Sequence, residues 1–346
     1  MKKRIAGLLL IITTVGLASC NDVLPPSEGE EHSTGDIIYT EASPSRDDSI
    51  RVISADGKTS ETLAPGFINA KPSKSFVVFI DMQGTAINIM NFAGQVLHSF
   101  TPTLRSEEVI EPLSLGISPD GSKIVYSIHN LFNDTRTLYI TNIDGSNPVL
   151  ISSAFGYETT PCFSPDSRRI AYYETYDLFD VPGNGAIKIA STNGDPVDTR
   201  LTAKNISPNH DAFGTIAWSQ DGKKIAFGSQ DSIMVTSVDS GGAYFLANGY
   251  LPDWSPDGQQ IAYSDDAFNL HVINKDRSGD RTLSMSPFTG DLFAQWSFDG
   301  KEILVTTYAD DFEKVPGKSR IVNVATGASR DLSNNVSGAS FWIKKN

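Results

Sequence analysis

Two cysteines, Cys20 and Cys162, in 346 residues are too few for a disulfide scaffold, so stability has to come from a packed core. Basic charge is also scarce. Against 41 acidic residues stand 28 Lys and Arg, a formal net charge of −13, which repels a phosphate backbone and excludes nucleic acid as a partner. The apolar run Ile5–Ile12 is too short for a good membrane-spanning helix. No G-x-S-x-G is present for a hydrolase nucleophile. The five histidines (His32, His98, His129, His210, His271) show no H-E-x-x-H or other metal-ligand spacing, and no D-x-D-x-D-G calcium loop occurs. These absences point to a chain that is not an enzyme and carries no metal or cofactor.

What is present is a repeat. An aromatic or aliphatic residue runs into a Ser-x-Asp-Gly-like turn and out into an apolar stretch at 117–127, 163–173, 218–228, 254–264 and 296–306. In this turn Pro pre-sets φ, Asp tolerates the next position, and Gly takes the left-handed conformation that a three-residue loop needs. The candidate structural turn residues are Asp120 and Gly121, Asp166, Asp221 and Gly222, Asp257 and Gly258, and Asp299 and Gly300. An acid that recurs in every copy reads as a turn former before it reads as a catalyst. A weaker copy at 70–79 keeps the Pro and loses the Asp-Gly, and the copies follow one another at intervals of about 36–55 residues.

Each hairpin is followed by a further β-run with its own polar or glycine turn, and then by a short run such as Pro148–Ser152. Four strands per unit make the blade of a propeller. The fold class is therefore all-β, a seven-bladed β-propeller of four-stranded antiparallel blades, with six blades as the alternative if the degenerate first unit is not a true blade. The segment 36–40 matches the run after a hairpin and 339–343 the run before one. Pairing of these N- and C-terminal strands would close the ring and hide its edges.

The repeated W-S-P-D-G-x-x-I-A-Y resembles the TolB-like propeller repeat, a relative of the WD-type repeat that is also seen in the propellers of prolyl oligopeptidases. The resemblance covers about residues 36–343 and is specific for the repeat. It implies no single activity, since propellers host binding, scaffolding and several enzyme chemistries.

Three segments are expected along the chain. Residues 1–19 read as a lipoprotein signal peptide: Lys2, Lys3 and Arg4, an apolar core, and Leu17-Ala18-Ser19 before Cys20, the candidate lipid-attachment residue. Residues 20–35 read as a lipidated acidic tether, and 36–346 as the propeller. Loss of Lys2, Lys3 and Arg4 moves the net charge to −16, and with Cys20 committed to lipid no intrachain disulfide can form. Cys162 reads as a small buried hydrophobe. Asn21 after the Cys favours the outer membrane, with the face left open.

The loops opposite the Ser-Pro-Asp-Gly hairpins are the elaborated ones, at 127–136, 174–185, 202–214 and 308–319. The candidate binding rim is His129, Phe132, Asp177, Phe179, Asp180, His210, Asp311 and Phe312. An aromatic among polar groups can stack on a sugar or anchor a protein contact; the plainer alternative tucks each Phe beneath its own loop. The partner is expected to be an envelope protein or glycan, with the membrane met through the lipid alone and the chain monomeric. The alternative function is an envelope polysaccharide lyase or hydrolase, whose mark would be a His and acid cluster or a metal at the channel mouth.

Overall fold

The computed structural model describes residues 35–41, 43, 48–66, 68, 70–155, 161–175, 185–193, 216–229, 231–284, 292–307 and 317–344. Every Ser-x-Asp-Gly stretch among them is a tight reversal. The Gly121 N–H donates to Ser118 O at 2.8 Å and the Ser118 N–H to Lys123 O at 2.9 Å, so the loop encloses 119–122, one residue more than expected. Gly121, Gly222, Gly258 and Gly300 all have φ between 64° and 72°, the left-handed region where a Cβ is strained. In the fourth blade Ser167 takes that conformation at φ 62°.

The reversals join strands into blades in which the chain runs from the innermost to the outermost strand. Blade 3 has Glu108–Ile117, Lys123–Asn130, Thr135–Asn142 and Val149–Phe155; blade 5 has Ile216–Trp218, Lys224–Ser229, Ser232–Ser237 and Ala243–Asn248. Blade 6 has Tyr250–Trp254, Gln260–Ser264, Leu270–Asn274 and Arg281–Ser284. Blades 2 (Phe76–Ile80, Ile87–Asn91, Val96–Phe100) and 4 (Cys162–Phe163, Arg169–Thr175, Gly185–Ser191) show three strands among the described residues.

Blades 7 and 1 share a strand. Blade 7 is built from Leu292–Trp296, Glu302–Thr307 and Gly317–Asn323, and blade 1 from Asp36–Glu41, Ser49–Ser54 and Ser60–Pro65. The 15-residue strand Ser329–Ile343 pairs through its first half with blade 7 (Val322 with Ser329, Gly317 with Val336). Its second half pairs with blade 1 (Ile37 with Trp342, Ile38 with Phe341, Tyr39 with Ser340). Val336 is the pivot, opposite Gly317 on one side and Glu41 on the other. The ring therefore has seven blades and closes through the pairing expected of its ends.

Packing repeats with the blade. On each second strand one large side chain faces the preceding blade: Tyr39, Phe79, Tyr126, Tyr172, Phe227, Tyr263 and, in blade 7, Val305. Directly opposite, the third strands place Arg51, Asn88, Tyr139, Lys188, Met234, His271 and Arg320. The apolar core lies between blades, as seven clusters among the described residues.

All four tryptophans serve one purpose. The indole N–H of Trp218 donates to Cys162 O at 3.1 Å, and those of Trp254, Trp296 and Trp342 donate to Ala217 O, Asp253 O and Gln295 O, each at 3.2 Å. Each ring reaches back to the innermost strand of the blade before it, where a buried N–H needs an acceptor. Each bond contributes about 1 kcal/mol beyond the burial of the ring.

Candidate functional site

The hairpin acids are fully occupied in holding their turns. Asp120 Oδ1 accepts from the Ser118 hydroxyl at 2.7 Å and from the Ser122 N–H at 2.9 Å, and the pattern recurs at Asp166, Asp221, Asp257 and Asp299. Burial pushes the Asp120, Asp166 and Asp221 carboxyls up, yet the bonds from their serines and backbone amides together hold them below the usual carboxylate range. These are structural acids.

The opposite face is different. The loop between the second and third strands of blade 3 is tied from within: Asn130 Oδ1 accepts from the Phe132 and Asn133 amides at 3.0 and 3.2 Å, and Asn133 Oδ1 from Thr135 N–H at 3.1 Å. The Leu131 N–H donates to Glu107 O at 2.8 Å, and Asp134 sits in the left-handed region at φ 54°. On this braced turn Phe132 stands 89% exposed, with Leu131 beside it. Phe132 does not tuck beneath its own loop.

Under the turn lies a polar layer in which His129, Glu111 and Arg136 are buried and Asp134 is half-exposed. His129, 7% exposed, places Nε2 2.7 Å from Asp134 Oδ1 and Nδ1 3.5 Å from Glu111 Oε2. Arg136 adds Nη1 at 3.0 Å to Asp134 and Nε at 3.9 Å to Glu111. Burial first, and then the Arg136 charge, push the His129 imidazole below its ordinary value, so it is neutral near pH 7. The layer continues into blade 4, where Glu174 accepts from the Ser152 hydroxyl at 2.8 Å and pairs with Lys188. His129 is therefore a strut below the rim and not an exposed contact on it.

A second His and acid cluster sits in blade 6. His271 lies 3.2 Å from Asp265 and 3.3 Å from Asp280, and the Tyr263 hydroxyl donates to Asp280 at 2.9 Å. Asp265 caps its own turn through the Ala267 and Asn269 amides at 2.9 and 2.8 Å. Among the described residues no group of three or more His, Cys, Asp or Glu is arranged to hold a metal ion.

Of the rim residues read from sequence, the structure places Phe132 and His129 together in blade 3. Asp177, Phe179, Asp180, His210, Asp311 and Phe312 lie outside the described residues, as does Cys20. Cys162 is buried on the innermost strand of blade 4. Glu111 and Arg136 were not legible. The register between Glu111 and Gly116 slips by a bulge, and only the ladder shows that Arg136 faces His129 across the sheet. Asp253 was missed too, although a carboxylate directly before a core Trp in Leu251-Pro252-Asp253-Trp254 was a visible departure from Ala217 in the preceding copy.

The fold and this rim define a closed seven-bladed propeller with a braced aromatic on the face opposite its hairpins. The ring is TolB-like: the structure of TolB from Acinetobacter baumannii superposes with a TM-score of 0.56 at 16% identity, over 90% of this chain and 67% of that one. Oligogalacturonate lyase from Vibrio parahaemolyticus gives 0.58 at 12% identity over 85% and 93%. A puromycin hydrolase S511A mutant gives 0.67 at 15% over 94% of this chain and 55% of that enzyme, so the chain spans about half of the hydrolase. No family model matches the chain, nor does any curated protein sequence. At these identities the likeness is one of fold.

Proposed function

We propose that the chain is a non-catalytic binding propeller of the bacterial cell envelope, lipid-anchored through Cys20, that holds a protein or glycan partner on its long-loop rim with Phe132 as an anchor. The observation that carries this reading is Phe132 itself: a nearly fully exposed ring on a turn whose backbone is fixed by four hydrogen bonds and whose Asp134 is held by His129 and Arg136. A rigid aromatic loses little entropy on docking, which is why such side chains dominate interfaces. The charged layer supports a bracing role, because His129 Nε2 and Arg136 Nη1 both hold Asp134 of the turn from below and the His129 imidazole is shielded from solvent.

The reading is tested by photo-cross-linking in intact envelopes from a reactive amino acid at position 132, with position 58 on the hairpin face as control. A discrete adduct at 132 and none at 58, weakened when Leu131 is changed to Ser, is the expected result. Equal labelling from both positions, or adducts that persist after Cys20→Ser releases the chain from the membrane fraction, would move the interface elsewhere.

A polyuronate lyase is the second reading. It is favoured by the superposition on oligogalacturonate lyase over most of that enzyme and by the two carboxylates that bracket His129. Release of unsaturated product from oligogalacturonate, abolished by His129→Gln, would establish it.

A further inference from the structure

Both ends of the ring come out on one face. Second strands run from the hairpin face to the long-loop rim, so Asp36–Glu41 begins among the hairpins, and Ser329–Ile343 ends beside it. A Cβ on Gly35, at φ 88°, would lie 2.5 Å from Ile343 O and 3.3 Å from the ring of Phe298, which stands in the blade 7 hairpin. Lys344 lies over the same ring, its Nζ 5.1 Å from the centroid. Gly35 is 15 positions on from Cys20 (35 − 20), a length of chain that spans at most about 50 Å.

The two faces also differ in charge. Among the described residues the hairpins of blades 2, 4, 5 and 7 present Lys74, Arg168, Lys223 and Lys301 to solvent, and Lys344 stands with them. The blade 7 hairpin shows the arrangement: the Lys301 side chain is 74% exposed and that of Asp299, in the same turn, 5%. At the perimeter of this face the signs are mixed, with Asp56, Asp144, Asp239 and Asp276 against Lys58, Lys275, Arg277 and Arg281. The opposite rim is acidic. It carries Asp48, Asp81, Glu107, Asp134, Asp231 and Asp266 against Arg105 and Lys318. A chain of net charge −13 thus sets its exposed hairpin cations on the face from which Gly35 leads back to Cys20.

We propose that the hairpin face is the surface this propeller lays against the bilayer, with Lys74, Arg168, Lys223, Lys301 and Lys344 over anionic phospholipid headgroups. The proposal deepens the reading of Cys20 as the anchor and rests on it for the membrane concerned. Lipid and cations then draw the same side of the ring to the surface. The inverted pose would turn the acids of the rim toward the headgroups. It would also lead the segment before Gly35 past about 25 Å of strand, the height of Lys123–Asn130. With the hairpins down, Phe132 stands on the side away from the bilayer.

The test is photo-cross-linking of phospholipid from a reactive amino acid in place of Gln259, exposed on the blade 6 hairpin, or of Phe132. The full chain is incorporated from mild detergent into vesicles of phosphatidylcholine with or without phosphatidylglycerol. Lipid adducts at 259 and none at 132 are expected, enriched by phosphatidylglycerol and weakened as salt is raised. Lys74→Gln combined with Arg168→Gln should lower the yield at 259 about fivefold or more. No adduct at 259, adducts at 132 equal to or above those at 259, or a yield unmoved by phosphatidylglycerol and by the double variant would overturn the proposal. Anchoring is read separately, from whether Cys20→Ser moves the chain to the soluble fraction of cells. A Cys20→Ser chain that stays with the membrane would sink the anchor and leave the comparison of 259 with 132 standing, whereas a vesicle-bound chain with no adduct at 259 would sink the face alone.

Discussion

Ser167 shows why one hairpin departs from its siblings. It occupies the left-handed position that glycine fills elsewhere, yet its hydroxyl accepts the Asp120 N–H of the neighbouring hairpin at 3.1 Å. A glycine would relieve about 1 kcal/mol of backbone strain and forfeit a bond worth about as much, so Ser167→Gly should be close to neutral in denaturant unfolding. Ser167→Ala keeps the strain and loses the bond. It should destabilise by about 1–2 kcal/mol, and equal midpoints for the two variants would refute this account. The hairpin residues could be assigned from sequence because their chemistry is local: Ser, Asp and Gly act within six positions of one another. Glu111 and Arg136 could not, because each takes its meaning from a residue on another strand.

Between elements, the innermost strands are joined by a second clasp besides the indoles. Asp253 Oδ2 accepts the Trp296 N–H at 3.0 Å, and one blade later Gln295 Oε1 accepts the Trp342 N–H at 2.9 Å. The geometry is shared, but only Asp253 carries a charge, and it is fully buried. Burial pushes its carboxyl up to about 6, against a partial opposing pull from Lys71. The folded state thus holds the proton more tightly than the unfolded chain. This contribution to stability is fully present below about pH 4 and is lost as pH rises through 6, a change of about 3 kcal/mol across that window. Asp253→Asn keeps the acceptor, as Gln295 does, and removes the ionisation. It should raise the melting midpoint at pH 7.5 and have little effect at pH 4; equal effects at both values would show that the carboxyl does not titrate in this range. No spacing rule marks Asp253; its one sign in the sequence is a carboxylate where the other copies place Cys162, Ala217 and Gln295.

At the scale of the molecule, the ring was readable because each unit repeats its own logic and the two ends complete one blade. The pairing of 36–40 with 339–343 follows from strand order alone, whereas the choice of seven blades over six rests on the separate sheet that the degenerate copy at 70–79 leads into. What strand order does not carry is the double duty of Ser329–Ile343, which serves blade 7 before it serves blade 1. Inside this latch the Ser319 and Ser340 hydroxyls meet at 2.6 Å, and Phe341, Trp342 and Ile343 are buried. Deletion of 337–346 should therefore cost far more than one strand, replacing a single cooperative unfolding transition by a broad one in circular dichroism. A circular permutant that joins 344 to 35 and opens the exposed turn at 239–242 should keep the single transition.

Translation has a further bearing on that latch. Ser329–Ile343 leaves the ribosome after every other strand of the ring, and until it arrives the edges at Gly317–Asn323 and Asp36–Glu41 stand bare. A chain stalled or clipped before residue 329 carries two adhesive borders, a form ready for proteases and aggregation. Closure of the ring is thereby converted into solubility, and its final strand acts as the proofreader of all the others.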